Sequence, residues 1–388
     1  METNSGIYLD NNATTPCDPR VVEKMLPYFN EVFGNPANGL HRQGRQAANA
    51  IEDAREKVAN LIGAREKEII FTSGATESDN LAILGAARMN RNGNRKRIVT
   101  SIIEHKAVLL ACKKLKDEGF DVVFLPVDAE GRVSLEAAQN TIDENTLLVS
   151  IHGANNETGT VQPIQQLTEL AHSQGALFHC DAAQAVGKIP VNVNEWDVDL
   201  ISMSAHKLYG PKGIGALFVR GGSTAIALEP LWYGGGQENG VRSGTSNVPG
   251  IVGFGEACQI CEELLPGEAL RIGVLRNGLE QNLLAHGLNM KINSANAQRL
   301  PNTSSLVFPG LDADALILNC PEIMLGTGSA CSSGAVEPSH VLTAIGLSRE
   351  EASSTIRISL GRFTLAEHME KAAGAILAGY ERLKVLGA

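Results

Sequence analysis

Short, continuous apolar runs alternate with helical patterns through the first two-thirds of the chain, and this alternation constrains the fold most strongly. Runs of this kind are typical of strands whose two faces are both covered by other elements. Strands that alternate with helices build a largely parallel α/β sheet, in which an antiparallel strand can be accommodated. We expect strands at 68–72, 98–101, 122–125, 147–151, 176–181, 200–204 and 216–219.

The chain changes character near residue 247, where it becomes mostly helical before a second set of elements begins. Its 388 residues exceed what one compact core usually holds, so we expect two domains. The fold class we expect is α/β, a mostly parallel seven-stranded sheet flanked by helices, with a smaller α+β domain. The predicted large domain spans 15–260. The small domain would combine 1–14, including a short strand at 7–9, with 261–388.

Polar residues follow the predicted strands at the points where a site is expected, because open parallel sheets bind ligands beyond the carboxyl ends of their strands. Ala75 and Thr76 open a helix after one strand, and the free N–H groups at a helix start bind phosphate well. An ordinary helix cap is the alternative there. His105 and Asn156 follow other strands, where an imidazole could stack on a ring or move a proton, and an amide could bind a polar substituent.

The two most telling strand ends carry a carboxylate and an amine. Asp181 could pair with a protonated pyridine nitrogen or, alternatively, cap a helix. Lys207, next to Ser204 and His206, follows an apolar strand; shielding from bulk water would disfavour its charged form and make it a nucleophile. Such amines form Schiff bases with aldehydes, above all pyridoxal phosphate, although a surface lysine is the simpler alternative. One shared cofactor explains all these strand ends better than separate structural roles.

Two residues of the second unit are also candidates for catalysis or substrate binding. Cys331 lies in a loop of small, polar residues, where exposure would suit a nucleophilic thiol, and a loop cysteine without a role is the alternative. Arg357 is a charge inside an apolar strand. It would need either a substrate carboxylate or an internal carboxylate as its partner.

Composition excludes several other classes of protein. The formal net charge of −10 argues against a nucleic-acid binder with a broad basic surface, and we expect no direct nucleic-acid or membrane partner. The seven scattered cysteines and the absence of a signal-peptide pattern favour the cytoplasm. Cys258 and Cys261 form a C-x-x-C pair in a helical stretch, where packing is the better reading. Gly187-Lys188 lacks the Ser or Thr that would complete a phosphate loop.

Several motifs together resemble those of the pyridoxal-phosphate-dependent cysteine desulfurases of the class V aminotransferase superfamily. The motifs are Tyr8 to Pro16, Phe33-Gly34-Asn35-Pro36, Thr72 to Ser78, Glu104-His105-Lys106, Asn155-Asn156-Glu157, Ser204-Ala205-His206-Lys207 and Arg242-Ser243-Gly244-Thr245. The segment Gly328-Ser329-Ala330-Cys331 with Glu337-Pro338-Ser339-His340 resembles the group whose catalytic cysteine lies on a long mobile loop. The similarity runs nearly end to end.

The resemblance implies fold type I of the pyridoxal-phosphate transferases and assigns cofactor contacts. Lys207 would bind the cofactor as a Schiff base, Asp181 would contact the pyridine nitrogen, Gln184 the ring hydroxyl, and His105 would stack on the ring. The residues implied to bind the phosphate are Ala75, Thr76, Ser204 and His206, with Thr245 contributed by the second subunit of a homodimer.

The resemblance also implies a substrate and a reaction. Asn156 would hold the ring hydroxyl region, and Arg357, assisted by Asn35, the carboxylate of L-cysteine. Cys331 would accept the sulfur as a persulfide, release L-alanine and pass the sulfur to acceptor or scaffold proteins for iron–sulfur assembly, tRNA thiolation or DNA phosphorothioation. No resident metal is expected, although Cys331 could transiently ligate an iron–sulfur cluster. Selenocysteine lyase, cysteine-sulfinate desulfinase, aminotransferase and non-catalytic scaffold remain the alternatives.

Overall fold

The computed structural model describes residues 6–327 and 338–386. Its strands are β1 Ile7–Tyr8, β2 Ile69–Thr72, β3 Arg97–Ser101, β4 Asp121–Leu125, β5 Thr146–Ser150, β6 Leu177–Asp181, β7 Leu200–Ser204, β8 Gly215–Val219, β9 Lys291–Ile292, β10 Thr303–Val307, β11 Ile323–Met324, β12 Gly326–Thr327 and β13 Thr355–Ser359. Its α-helices are α1 Pro19–Met25, α2 Pro27–Asn30, α3 Arg42–Leu61, α4 Ala75–Asn80, α5 Ala86–Met89, α6 Lys106–Asp117, α7 Leu135–Thr141, α8 Ile164–Ser173, α9 Val193–Trp196, α10 Val248–Ala285, α11 Ala313–Leu318, α12 His340–Ala344, α13 Arg349–Ser353 and α14 Ala366–Leu386.

The large sheet confirms the expected fold class. Within the described part of the chain it has seven strands in the order β2-β8-β7-β6-β5-β3-β4. All neighbours pair in parallel except β8, which runs antiparallel to both β2 and β7. The carboxyl ends of β2, β3, β5, β6 and β7 therefore meet at one edge of the sheet, as the connection rules for parallel strands require.

Apolar cores cover both faces of the large sheet, which explains why its strands read as continuous apolar runs. In β3 the neighbouring residues Ile98 and Val99 belong to different cores, because successive side chains of a strand point to opposite faces. In β7 the same holds for Leu200 and Ile201. Among the described residues, no helix combines the length and apolarity that a membrane span needs.

A smaller antiparallel sheet, in the order β12-β13-β10-β9, forms around a core of its own. The N-terminal strand β1 pairs with β11 of this unit, as expected from the sequence. Helix α10 runs through residue 260 without a break, and its first half packs on the large-sheet core while its second half packs on the small one. The domain boundary at 260 therefore stays a prediction.

Helix α4 continues through a π-helical segment, Leu81–Gly85, into α5, and it begins at Ala75, where the sequence analysis expected a helix to open. The start of α4 packs closely against Gly215 of β8. Gly215 pairs with Thr72 of β2 on one side and with Ser204 of β7 on the other. A Cβ at Gly215 would lie 2.4 Å from the Met203 carbonyl oxygen and 2.6 Å from the Gly74 Cα. This contact requires glycine.

We predict that Gly215→Ala destabilises the protein by about 1–3 kcal/mol, because backbone on both sides must move away from the new methyl group. Gly278→Ala is the matched control: Gly278 is exposed in α10 with open space around its Cα, so the same change should stabilise by about 0.5–1 kcal/mol. Urea-denaturation midpoints of the two variants measure both effects. Equal midpoints would contradict the packing described for Gly215.

Candidate active site

Lys207 lies at the carboxyl edge of the large sheet, in the tight turn Ala205–Lys207 that follows β7. Its Nζ donates hydrogen bonds to the carbonyl oxygens of Asn12, at 2.5 Å, and Ala13, at 2.9 Å. The N-terminal segment is fixed over this edge because the Thr15 N–H and hydroxyl both donate to the His206 carbonyl oxygen. The Lys207 side chain is therefore half-buried, and its amine is held by two main-chain acceptors.

Gln184 reaches the same acceptor from the loop after β6. Its Nε2 donates to the Asn12 carbonyl oxygen at 2.9 Å, and the side chain is buried. The amine of Lys207 and the amide of Gln184 thus share one carbonyl oxygen. The two side chains therefore lie close together, and the cofactor contacts assigned to them stay predictions.

The start of α4 is suited to an anion. Gly74, with φ of 151°, precedes the helix, and no side chain caps the helix start in the described structure. The N–H groups of Ala75 and Thr76 belong to the first turn, where helices have no internal acceptors. A Cβ at Gly74 would lie 3.6 Å from the Ser204 hydroxyl, so the turn and the end of β7 form one cradle. The alternative of an ordinary side-chain cap does not apply.

Asp181 and His105 are two titratable groups at the carboxyl edge of the sheet, and burial shifts the pKa of each. Burial raises the pKa of Asp181, against a hydrogen bond that its Oδ1 accepts from the Ala183 N–H at 3.0 Å. Burial likewise lowers the pKa of His105, opposed by the charge of Asp181. His105 also begins α6, where its Nδ1 accepts from the Ala107 N–H at 3.2 Å. A cation placed at Asp181 would compensate the buried carboxylate, which is what a pyridinium N–H supplies.

Arg357 has the internal carboxylate partner that was one of the two alternatives for it. It is buried in β13, its Nη2 donates to Asp10 Oδ1 at 2.7 Å, and its Nη1 donates to the Asn156 carbonyl oxygen at 3.1 Å. Among the described residues its Nε has no hydrogen-bond partner, so one donor of the guanidinium is left unsatisfied. Binding of a substrate carboxylate stays a prediction.

The structure places the other predicted residues less directly. The His206 Nδ1 lies 3.0 Å from the Thr14 hydroxyl, and burial lowers the pKa of His206 to about 4, helped by the charge of Lys207. Asn35 and Thr245 line one open cleft of about 630 Å³, and Lys207 does not line that cleft. The roles assigned to these three residues stay predictions.

Cys331 lies outside the described residues, but both flanks of its segment are fixed near Arg357 and Asn156. Gly326 in β12 pairs with Arg357 in β13. On the other side, the Ser339 hydroxyl donates to Glu157 Oε2 at 2.5 Å, and His340 Nε2 lies 3.0 Å from the Glu104 carbonyl oxygen.

The sequence analysis did not assign roles to several buried polar residues around this edge. Glu104 accepts from the Ser101 hydroxyl at 2.6 Å and from the His152 N–H at 2.9 Å. Asp79 and His179 lie behind Asp181; burial raises the pKa of Asp79 and lowers that of His179 to about 3. Burial therefore disfavours the charged form of each group. The signal available in the sequence was an ionisable residue within or shortly after an apolar run: His179 lies inside β6, and Glu104 follows β3.

The Lys207 amine, an uncapped helix start and the buried Asp181 carboxyl group thus follow strands whose carboxyl ends meet at one edge of the sheet, where open α/β sheets bind their ligands. Comparison with known proteins identifies the family. Residues 7–371 match the family model described as aminotransferase class-V. A mitochondrial cysteine desulfurase of Arthroderma benhamiae is 48% identical over 95% of this chain and 73% of its own length.

Two solved structures extend the comparison. A NifS-like protein is 40% identical with a TM-score of 0.89, covering 98% of this chain and 100% of the other. SspA in complex with cysteine is 41% identical with a TM-score of 0.81, covering 92% and 100%. The chain belongs to the aminotransferase class-V family and, within it, to the cysteine desulfurases. The resemblance inferred from the sequence is confirmed.

Glu157 generates a prediction about pH. Burial raises its pKa to about 7, against the hydrogen bond from Ser339, whereas the ordinary value is 4.5. The native state therefore keeps a proton that the unfolded chain releases. The stability contributed by that proton is complete below pH 4.5 and is lost as the pH rises through 7.

Glu157→Gln, which is permanently neutral, should remove this loss. Relative to the wild type, the variant should gain about 3 kcal/mol of unfolding free energy between pH 4.5 and pH 7. Denaturation curves across this range measure the difference, with Glu381→Gln at an exposed position of α14 as the control. Parallel pH profiles for all three proteins would rule out a protonated Glu157.

Proposed function

We propose that this chain binds pyridoxal phosphate at Lys207 and converts L-cysteine to L-alanine, keeping the sulfur as a persulfide on Cys331. The observation that carries the proposal is the position of the Lys207 amine, which lies among Gln184, Asp181 and an uncapped helix start in a member of the cysteine desulfurases. When bound, pyridoxal phosphate withdraws electrons from the α-carbon of an amino acid.

The residues present fit such a cofactor. Burial disfavours the charged form of Asp181, and a protonated ring nitrogen beside it would favour the carboxylate again. Burial also disfavours the charged form of His105, which suits its imidazole to stacking against a ring. Gln184 offers an N–H to the ring hydroxyl, with Asn156 near that region. The groups proposed to hold the phosphate are Ala75, Thr76, Ser204 and His206, together with Thr245 of a second copy.

Substrate binding is assigned to Arg357, with Asn35 and Asn156 assisting. The unpaired Nε of Arg357 would donate to the carboxylate of L-cysteine, as charge-assisted hydrogen bonds to carboxylates favour. Lys207, once released as a free amine, would move the proton at the substrate α-carbon. A cysteine ligand in the SspA structure supports the choice of substrate.

The sulfur-transfer step balances without a further oxidant. The Cys331 thiolate attacks the substrate sulfur, a sulfur–sulfur bond forms, and the bond between sulfur and the β-carbon breaks. The electron pair of that bond stays with the carbon, which takes up a proton and leaves as the methyl group of alanine. Sulfur is oxidised to the persulfide level while the carbon is reduced.

The remaining proposals concern partners and location. We propose a homodimer, supported by large exposed apolar side chains near the Thr245 cleft, including Phe33 at 70% exposure and Tyr233 at 79%. Protein acceptors would receive the persulfide sulfur. The described cysteines are all free thiols, which supports a cytoplasmic location.

The position of the amine is tested by reduction with borohydride followed by peptide mapping. With the purified protein and added pyridoxal phosphate, we expect the reduced adduct on Lys207 and no such adduct in Lys207→Ala. Lys212→Ala, at an exposed lysine five residues further along the chain, serves as the control and should keep the adduct on Lys207. An adduct on another residue, or none in the wild type, would overturn the proposal.

The role of the thiol is tested by Cys331→Ser. Because a serine hydroxyl cannot form a persulfide, alanine production from cysteine should fall to background while cofactor absorption persists. Cys17→Ser, at a half-buried cysteine, should keep full activity. Undiminished alanine formation in Cys331→Ser would refute the persulfide assignment.

A further inference from the structure

Lys188 is a buried amine that the reaction described above does not use. It follows Gly187 in the pair that fails as a phosphate loop, and it lies four residues after Gln184. Its Nζ donates to the Gln184 Oε1 at 2.5 Å. The small cavity beside it measures about 20 Å³, room for a single water molecule, so this amine does not bind a substrate there.

The orientation of the Gln184 amide is fixed at both ends. The Asn12 carbonyl oxygen can only accept, so the amide atom that faces it at 2.9 Å must be the NH₂ group. The Oε1 atom therefore faces Lys188, which donates to it. The same Asn12 oxygen also accepts from the Lys207 amine. Three hydrogen bonds therefore connect Lys188 to Lys207 through Gln184 and the Asn12 carbonyl oxygen.

We infer that Lys188 is a positioning residue that locks Gln184 as a hydrogen-bond donor toward the ring hydroxyl of the cofactor. The inference rests on the proposed function, because it assigns a role toward bound pyridoxal phosphate. An NH₂ group has two donors, and Asn12 uses one of them. The second can hold the ring oxygen in its deprotonated form, whereas a flipped amide would present an acceptor and repel it.

The bond from Lys188 to Gln184 does not depend on the charge of the lysine. Burial, and then the nearby charges of Lys207 and Arg357, lower the pKa of Lys188 well below its usual range; the Cys261 thiol opposes this shift. The amine carries N–H donors in both protonation states, so it can donate to the Gln184 Oε1 in either.

Lys188→Met tests the inference, because methionine keeps most of the length and loses the donor. We expect apo protein carrying this variant to bind pyridoxal phosphate about tenfold more weakly, as loss of one oriented hydrogen bond implies. The apparent pKa read from the visible absorption of the bound cofactor should rise by about one unit. Urea unfolding of the apo protein serves as the check that the variant is folded.

A double-mutant cycle separates this role from a simple effect of charge. If Lys188 acts through Gln184, Lys188→Met should cause no further change in either quantity in a Gln184→Ala background. A shift of equal size in both backgrounds, or no shift in the single variant, would overturn the inference. A wild type that gains no visible absorption with pyridoxal phosphate would instead defeat the proposed function itself.

Discussion

One carbonyl oxygen, that of Asn12, organises the active-site edge of this protein. It accepts from the Lys207 amine and from the Gln184 amide, so the two groups that would touch the cofactor are placed by one acceptor. Asn12 is itself fixed on the opposite side. Its Nδ2 donates to the Thr303 hydroxyl at 2.8 Å, and its Oδ1 accepts from Asn302 at 2.9 Å, both in the small unit. Since buried polar groups are costly when unpaired, this residue commits both units to one arrangement.

The electrostatics of the edge would suit the proposed cofactor, which carries a protonated ring nitrogen and a negative phosphate. Burial raises the pKa of Asp181 and lowers those of His105 and His206, so the charged form of each group is disfavoured without a partner. Groups fixed in this way need no reorganisation when charge arrives, which is the source of electrostatic preorganisation. The helix start at Ala75 provides the complementary partial positive charge for a phosphate.

Much of this arrangement could be predicted from the sequence because parallel strands bring their carboxyl ends together. Asp181, Lys207 and the start of α4 were found by reading the residues after each apolar run, and the sheet places them at one edge. The helix start at Ala75 has a local cause, since Gly74 at positive φ begins the turn without a capping side chain.

Contacts between residues far apart in sequence could not be predicted in the same way. The bond from Ser339 to Glu157 and the pair of Arg357 with Asp10 each join segments separated by more than a hundred residues. Periodicity reports only which face of an element is apolar, so it cannot say which buried carboxylate meets which donor. The bond from Lys188 to Gln184 could not be predicted either, because the Gly187-Lys188 pattern indicates only an incomplete phosphate loop.

The segment Asp10 to Ala13 contacts both Arg357, the proposed site of the substrate carboxylate, and the Lys207 amine. Asp10 accepts from the Arg357 guanidinium at 2.7 Å, while Asn12 and Ala13 accept from the Lys207 amine. A substrate carboxylate at Arg357 would share this cation with Asp10, and the guanidinium fork can serve two acceptors at once. Any displacement of Asp10 would be transmitted along a few residues of main chain to the acceptors of Lys207. Occupation of the proposed carboxylate position and placement of the Lys207 amine would therefore be coupled through the N-terminal segment, which packs against both units.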